Sequence, residues 1–164
     1  MIEFRPLAVE DLLQLEEWLR HEHVARWWHD DIDESLAEYR AAIEGREPTD
    51  HYLVVVDDRA VGMIQTYLVS DYPEWEEVVH AGSDIAGVDL LIGDPEQVGR
   101  GLGPEILAQF VHDVVTARAA VATVDEANRR SWRAFEKAGF RYVRDVEEDG
   151  RPHRLMRLDR RYAQ

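Results

Sequence analysis

The sequence predicts an α/β (α+β) domain, and three observations carry that prediction. Hydrophobic periodicity switches repeatedly between two residues and roughly 3.6, so strands and helices are interleaved along the 164 residues. Two pairs of β-rich runs, 51–57 with 61–69 and 140–146 with 153–158, are joined by short polar links, as in antiparallel hairpins. The apolar run Ile85–Ile92 leads through a glycine-rich loop into a helical pattern, then a further apolar run and a further helix. A mixed, mostly antiparallel sheet flanked by helices accommodates all three.

The length suits one domain, 1–164, with a substantial core. There is no cysteine, which excludes disulfides, thiolate metal sites and a cysteine nucleophile. No apolar run approaches the roughly 20 residues of a membrane span, and Met-Ile-Glu-Phe-Arg-Pro does not read as a signal peptide, so a cytoplasmic protein with no membrane partner is expected. The net charge is −15 and unevenly placed: residues 1–99 hold 24 Asp/Glu against 6 Lys/Arg, and residues 100–164 hold 10 against 13. Such a surface repels nucleic acid and attracts polycations, although solubility alone also favours it.

Ile2 to Leu7 alternates as a first strand ended by Pro6 at an edge, and Leu12, Leu15 and Leu19 beside Trp18 mark a helix from about Val9 to Arg20. His21-Glu22-His23 has two possible metal ligands, but i and i+2 do not share a helix face and no third ligand is near; no metal is expected. Trp27-Trp28 before Asp30-Asp31 reads either as core aromatics followed by a cap or as a stacking wall, with Trp28, for a cationic sugar-like ligand. Asp33 is expected to cap a second helix with a Leu36, Tyr39, Ile43 stripe ending near Gly45. The hairpin at 51–69 turns through Asp58-Arg59-Ala60, and its second strand puts Gln65 and Tyr67 on one face. Ser70 to Ser83, with Trp75, Glu76 and Glu77, reads as a loop, either for recognition or a surface excursion.

Ile85–Ile92 is apolar except for Asp89, and a lone buried carboxylate is costly unless paired or used, which places Asp89 at a cleft. The following Gly99-Arg100-Gly101-Leu102-Gly103 can present main-chain N–H groups and a helix N-terminus to an anion. It lacks the Lys-Ser/Thr of a triphosphate loop, and Pro104 stands where the dinucleotide fingerprint has its third glycine. A plain glycine-rich turn has the same composition, so the rest of the chain must arbitrate. Ile106, Leu107, Phe110, Val111, Val114 and Val115 then mark a helix, Ala119–Val124 a strand ending at Asp125, and 126–138 a helix stopped by Gly139.

The loop resembles the acyl-CoA motif Gln/Arg-x-x-Gly-x-Gly/Ala of the GNAT acetyltransferases, with Gly101 and Gly103 in the fixed places and Val98 in the first. Asn128-Arg129-Arg130-Ser131-Trp132-Arg133-Ala134-Phe135-Glu136-Lys137-Ala138-Gly139-Phe140 is similar to the second GNAT signature, Asn-x-x-Ala/Ser-x-x-x-Tyr-Glu-Lys-x-Gly-Phe. Across most of the chain the segments Glu17-Trp18-Leu19, Arg26-Trp27-Trp28, Gln65-Thr66-Tyr67, Trp75-Glu76-Glu77 and Gly87-Val88-Asp89 resemble the aminoglycoside 6'-N-acetyltransferase branch. The resemblance implies the GNAT fold, with strands splayed at the acetyl-CoA site. It implies acetyl-CoA as cosubstrate, contacted by Leu90, Leu91, Ile92, Val98, Gly99, Arg100, Gly101, Leu102, Gly103, Asn128, Ser131, Phe135 and Lys137. It further implies Asp89 at the reacting amine, and acceptor contacts from Trp28, Gln65, Tyr67, Trp75, Glu76, Glu77 and Asp125. Phe135 departs from the family, since many members have there a tyrosine that protonates the departing thiolate.

The chemistry agrees: a sugar polycation suits acids and indoles, a carboxylate can deprotonate its amine, and unpaired N–H groups of Leu90–Ile92 can polarise a thioester carbonyl. The expected function is acetyl transfer to an aminoglycoside amine by a monomer or homodimer, with antibiotic resistance as the consequence. Competing readings are a GNAT enzyme for a siderophore precursor, polyamine or protein N-terminus, and a non-catalytic acyl-CoA-binding module, which Phe135 favours.

Overall fold

In the computed structural model, which describes residues 1–160, the elements run β1 (Ile2–Pro6), α1 (Leu12–Arg20), α2 (Glu22–Ala25), α3 (Ile32–Ile43), β2 (Asp50–Val56), β3 (Arg59–Leu68), α4 (Pro73–Val79), β4 (Ile85–Ile92), α5 (Leu102–Asp113), β5 (Ala119–Asp125), α6 (Arg129–Lys137), β6 (Arg141–Glu148) and β7 (Arg151–Asp159). The strands hydrogen-bond in the order β1-β2-β3-β4-β5-β7-β6, mostly antiparallel with β4 and β5 parallel. Contacts cluster into two compact units, Met1–Gln65 with Leu90–Arg100, and Thr66–Asp89 with the chain from Gly101 onward.

In the first unit, β1 pairs antiparallel with β2 from Ile2↔Val56 to Pro6↔Tyr52. The α1 stripe is as its periodicity predicts: Leu12, Leu15, Trp18 and Leu19 are buried with Leu53, Met63 and Leu91. The helix begins at Leu12, after a 3-10 turn at Val9–Asp11 in which the Asp11 carboxylate accepts from the Ala8 N–H (2.9 Å) and pairs with Arg5 (2.8 Å). The cap of α3 is Asp31, accepting from the Glu34 amide at 3.1 Å, where Asp33 was expected; only the residue just before the first helical one can reach that amide. Asp33 lies in the first turn, where its charge still favours the helix dipole. The β2–β3 turn is tighter than expected. It uses Asp57 and Asp58 alone, both at positive φ (48° and 67°), a twist that suits two-residue hairpins.

In the second unit, β7 is central, pairing antiparallel with β5 from Ala119↔Asp159 to Asp125↔His153 and with β6 up to Glu148↔Arg151. The segment expected as a loop at 70–83 contains α4. Pro73 is favourable in its first turn, and Trp75, Val78 and Val79 share a face that packs on Ile85, Ala119, Val121, Val146 and Leu155. Arg144 closes the far end of α4, donating to the carbonyls of Val78 (3.2 Å) and Val79 (2.8 Å). α6 packs on the opposite face, where the Arg154 guanidinium lies 4.0 Å from the Trp132 ring centroid. It starts three residues later than expected because Asp125 Oδ1 accepts from the Ala127 N–H at 2.9 Å and turns the chain first.

Candidate active site

Parallel pairing of β4 with β5 covers three residues, Ile85–Gly87 against Ala119–Val121, and Val88 and Asp89 lie beyond its last pair. Side chains alternate along strands, so Ile85, Gly87 and Asp89 face the same way as Val121, Thr123 and Asp125, and as Leu155, His153, Val146 and Glu148 through the β5-β7-β6 register. One sheet face thus changes character along its length. Where the strands pair it is apolar and covered by α4; past the end of the ladder it carries Asp89, Asp125 and Glu148, with His153 and Arg151 among them.

Tyr67 stands at the change. Its ring lies on Gly87, where a Cβ would come within 2.3 Å of Cζ, so only glycine fits beneath it. Tyr72 meets it edge-on at 5.3 Å, and the Trp75 indole hydrogen-bonds its hydroxyl. Burial, and next the charge of Asp89, hold that hydroxyl above the ordinary tyrosine range and therefore protonated, with Glu148 adding in the same sense. Glu76 follows Trp75 and accepts from the Gly82 N–H at 2.9 Å through Oε1, while its Oε2 is buried without a hydrogen bond. Glu77 points to solvent.

Glu148 was not among the residues expected from the sequence. Burial raises its pKa above the usual carboxylate value, a hydrogen bond with Thr123 and the charge of His153 oppose this, and Asp149 and Asp125 add to it. Its Oε2, also buried without a hydrogen bond, is 3.7 Å from His153 Nε2; the other ring nitrogen of His153 bonds the Arg151 carbonyl at 3.0 Å. Asp125 is engaged as well, by Arg151 at 2.7 Å. The signal for these partners is the register of β5, β7 and β6, which sequence periodicity does not carry.

The glycine loop opens α5 with Gly101 at the N-cap in the left-handed region (φ 78°) and open space where its Cβ would be. The N-terminal turn of α5, including Leu102 and Gly103, thus begins at a residue with no side chain in the way of an anion. Asn128 caps α6 through its backbone and makes no side-chain capping bond; Ser131 is half-buried, Lys137 exposed, and Phe135 buried edge-on to Phe140 at 5.0 Å.

In the first unit, Leu91 is buried while Leu90 and Ile92 are half-buried, and the Ile92 carbonyl accepts from His23 Nε2 at 3.0 Å. His21 precedes α2 in extended backbone, so its ring stacks on that of His23 at 5.7 Å, a contact the helical spacing argument missed. Among the described residues no group of three or more His, Asp or Glu is placed to hold a metal. Asp94, buried before the loop, pairs with Arg59 at 2.8 Å and caps the 3-10 turn Pro95–Gln97 that leads to half-buried Val98 and exposed Gly99 and Arg100. Trp28 packs half-buried on the unit's core, and Gln65 bonds His51.

A β4–β5 ladder that stops after three pairs, a glycine-opened helix and a sheet face carrying three carboxylates agree with a transferase of the GNAT kind. The chain belongs to the family described as "Acetyltransferase (GNAT) domain", which matches residues 8–148. It is 26% identical over 149 residues to the aminoglycoside N(6')-acetyltransferase type 1 of Klebsiella pneumoniae, covering 85% of this chain and 73% of that protein, with the same figures for the Serratia marcescens protein of that name. A solved aminoglycoside acetyltransferase AAC(6')-Ib in complex with coenzyme A superposes with a TM-score of 0.84 at 24% identity, covering 98% of this chain and 95% of that one. At that identity the likeness establishes the fold. No helix among the described residues is long and apolar enough to cross a membrane.

Proposed function

We propose that the chain is one acetyltransferase domain that transfers acetyl from acetyl-CoA to a primary amine of an aminoglycoside, the 6'-amine, and so confers resistance to the drug. A cytoplasmic setting, where acetyl-CoA is available, goes with this reading. The observation that carries it is the turn of one sheet face from apolar to acidic just past the β4–β5 ladder, with Asp89 the first carboxylate beyond it. Two relatives bear that activity in their names.

Asp89 takes a proton from the acceptor ammonium, since only the neutral amine has a lone pair to attack with. The amine nitrogen then bonds to the thioester carbonyl carbon while main-chain N–H groups of Leu90–Ile92 hold the oxyanion. Collapse breaks the C–S bond and releases the thiolate. Phe135 has no proton to give, so the thiolate takes one of the two protons the nitrogen sheds, by way of water, and one proton is released per turnover. The α5 N-terminus and loop residues Val98–Gly103 receive the pyrophosphate, with Asn128, Ser131, Phe135 and Lys137 along the rest of the cosubstrate. Tyr67, Trp75, Glu76 and Glu77, with Trp28 and Gln65, serve the acceptor, and Asp125 borders it as one half of a pair with Arg151. The test is thiol release from acetyl-CoA with kanamycin, tobramycin or spermidine, and NMR of the product. Turnover of spermidine with none of either drug sinks the reading.

A further inference from the structure

Asp125 ends β5 on the acid-lined face, yet both of its oxygens are occupied from within the chain. Oδ2 accepts from Arg151 Nη2 at 2.7 Å and Oδ1 from the Ala127 N–H at 2.9 Å, leaving the Asp125 side chain 10% exposed. Arg151, the first residue of β7, lies two residues before His153, the register partner of Asp125, and so on the same face. It follows the Asp149-Gly150 turn, its backbone pairs with Glu148, and its carbonyl bonds His153. Its side chain is 44% exposed, and its guanidinium meets Asp125.

An ammonium arriving there has two courses. It can displace a guanidinium from a shielded carboxylate, which breaks a charge-assisted hydrogen bond, or it can remain beside a like charge. Either costs affinity that an acceptor without an ammonium at that point does not lose.

Resting on the function proposed above, we propose that Arg151 is a specificity-determining residue. By pairing with Asp125 it supplies, from the chain itself, the cation that a polycationic acceptor would otherwise bring, and so turns the enzyme toward amino sugars with fewer ammonium groups. Asp89, as the base of the function proposed above, serves the amine that reacts.

Steady-state kinetics with kanamycin and with the monoamine 6-amino-6-deoxyglucose test this. Arg151→Gln is expected to lower the kanamycin KM about tenfold, the worth of one charge-assisted bond, with kcat unchanged and the monoamine KM unmoved. Arg151→Lys keeps the native values, and adding Asp125→Asn to Arg151→Gln removes the gain. A kanamycin KM that is unchanged or raised, or equal shifts for both acceptors, overturns the proposal, because a merely structural pair would move both together. Arg151→Met, which keeps the apolar stem, stands in if Arg151→Gln does not fold; failure of both to fold makes Arg151 structural and overturns it. Turnover of neither amino sugar by the native protein or any variant instead removes the function on which the proposal rests.

Discussion

Tyr39 in the first unit and Tyr67 in the second are both aromatic alcohols sunk against a strand, but they keep different company. Tyr39 meets the His51 ring edge-on at 4.9 Å, and Gln65 hydrogen-bonds that imidazole. Burial pushes His51 down to about 4, and no carboxylate contributes to the shift. Around Tyr67 the carboxylates Asp89 and Glu148 reinforce the effect of burial, and Glu148 is itself pushed up. Burial moves a titrating group in either setting. What separates the two settings is the charge of neighbouring carboxylates, which adds to burial at Tyr67 and, against the opposing Thr123 and His153, at Glu148.

That contrast predicts chemistry at one cluster and only stability at the other. The largest effect is expected at Asp89→Asn: a kcat about 10³-fold lower, with acetyl-CoA KM unchanged; a retained rate removes Asp89 as the base. His51 sits below its unfolded value of 6.5, so the native state binds fewer protons between pH 6.5 and about 4. Its contribution is therefore whole above pH 6.5 and lost as pH falls through that window, about 3 kcal/mol in all. Urea melts of His51→Gln should show a flatter loss between pH 7 and 4.5 than the native protein, with kcat at pH 7.5 little changed; a large kcat loss would make the Tyr39 cluster functional and erase the contrast.

Gly101→Ala lies outside both clusters. With open space around the new Cβ but φ at 78°, it is expected to cost about 1 kcal/mol and to raise the acetyl-CoA KM without moving the acceptor KM. The smallest effect belongs to Glu148→Gln. A carboxylate whose folded pKa is raised makes the native state less stable when ionised, so the native protein gains stability as pH falls through that pKa toward the unfolded value, opposite in sign to His51. Glu148→Gln should therefore raise Tm slightly at pH 8 and leave it unchanged at pH 4; a lower Tm at pH 8 would mean Glu148 is held by partners it needs ionised.

Much of the frame was legible beforehand. β4 has the bounds that its apolar run implied, α1 buries the stripe read from its spacing, and the glycine loop opens a helix. Less was legible of α4, because its buried positions, Trp75, Val78 and Val79, are few and set among acids that read as a loop. Tyr142 shows the limit of counting by twos. A register shift between Tyr142 and Arg144 sends the two side chains to opposite faces, Arg144 to α4 and Tyr142 to the Arg154 guanidinium at 5.0 Å.

The sequence by itself determined what depends on neighbours along the chain: where most strands and helices run, that a glycine-rich loop opens a helix, and the two motifs that announce an acetyltransferase. Only the tertiary structure decided which charges meet. Asp125 stood at a strand end in the sequence, but its partner Arg151 is set by the β5–β7 register and a hairpin turn, and so are the neighbours of Glu148. Coulomb forces and hydrogen bonds act over a few ångströms of space whatever the separation in chain, and strand register is what converts one into the other.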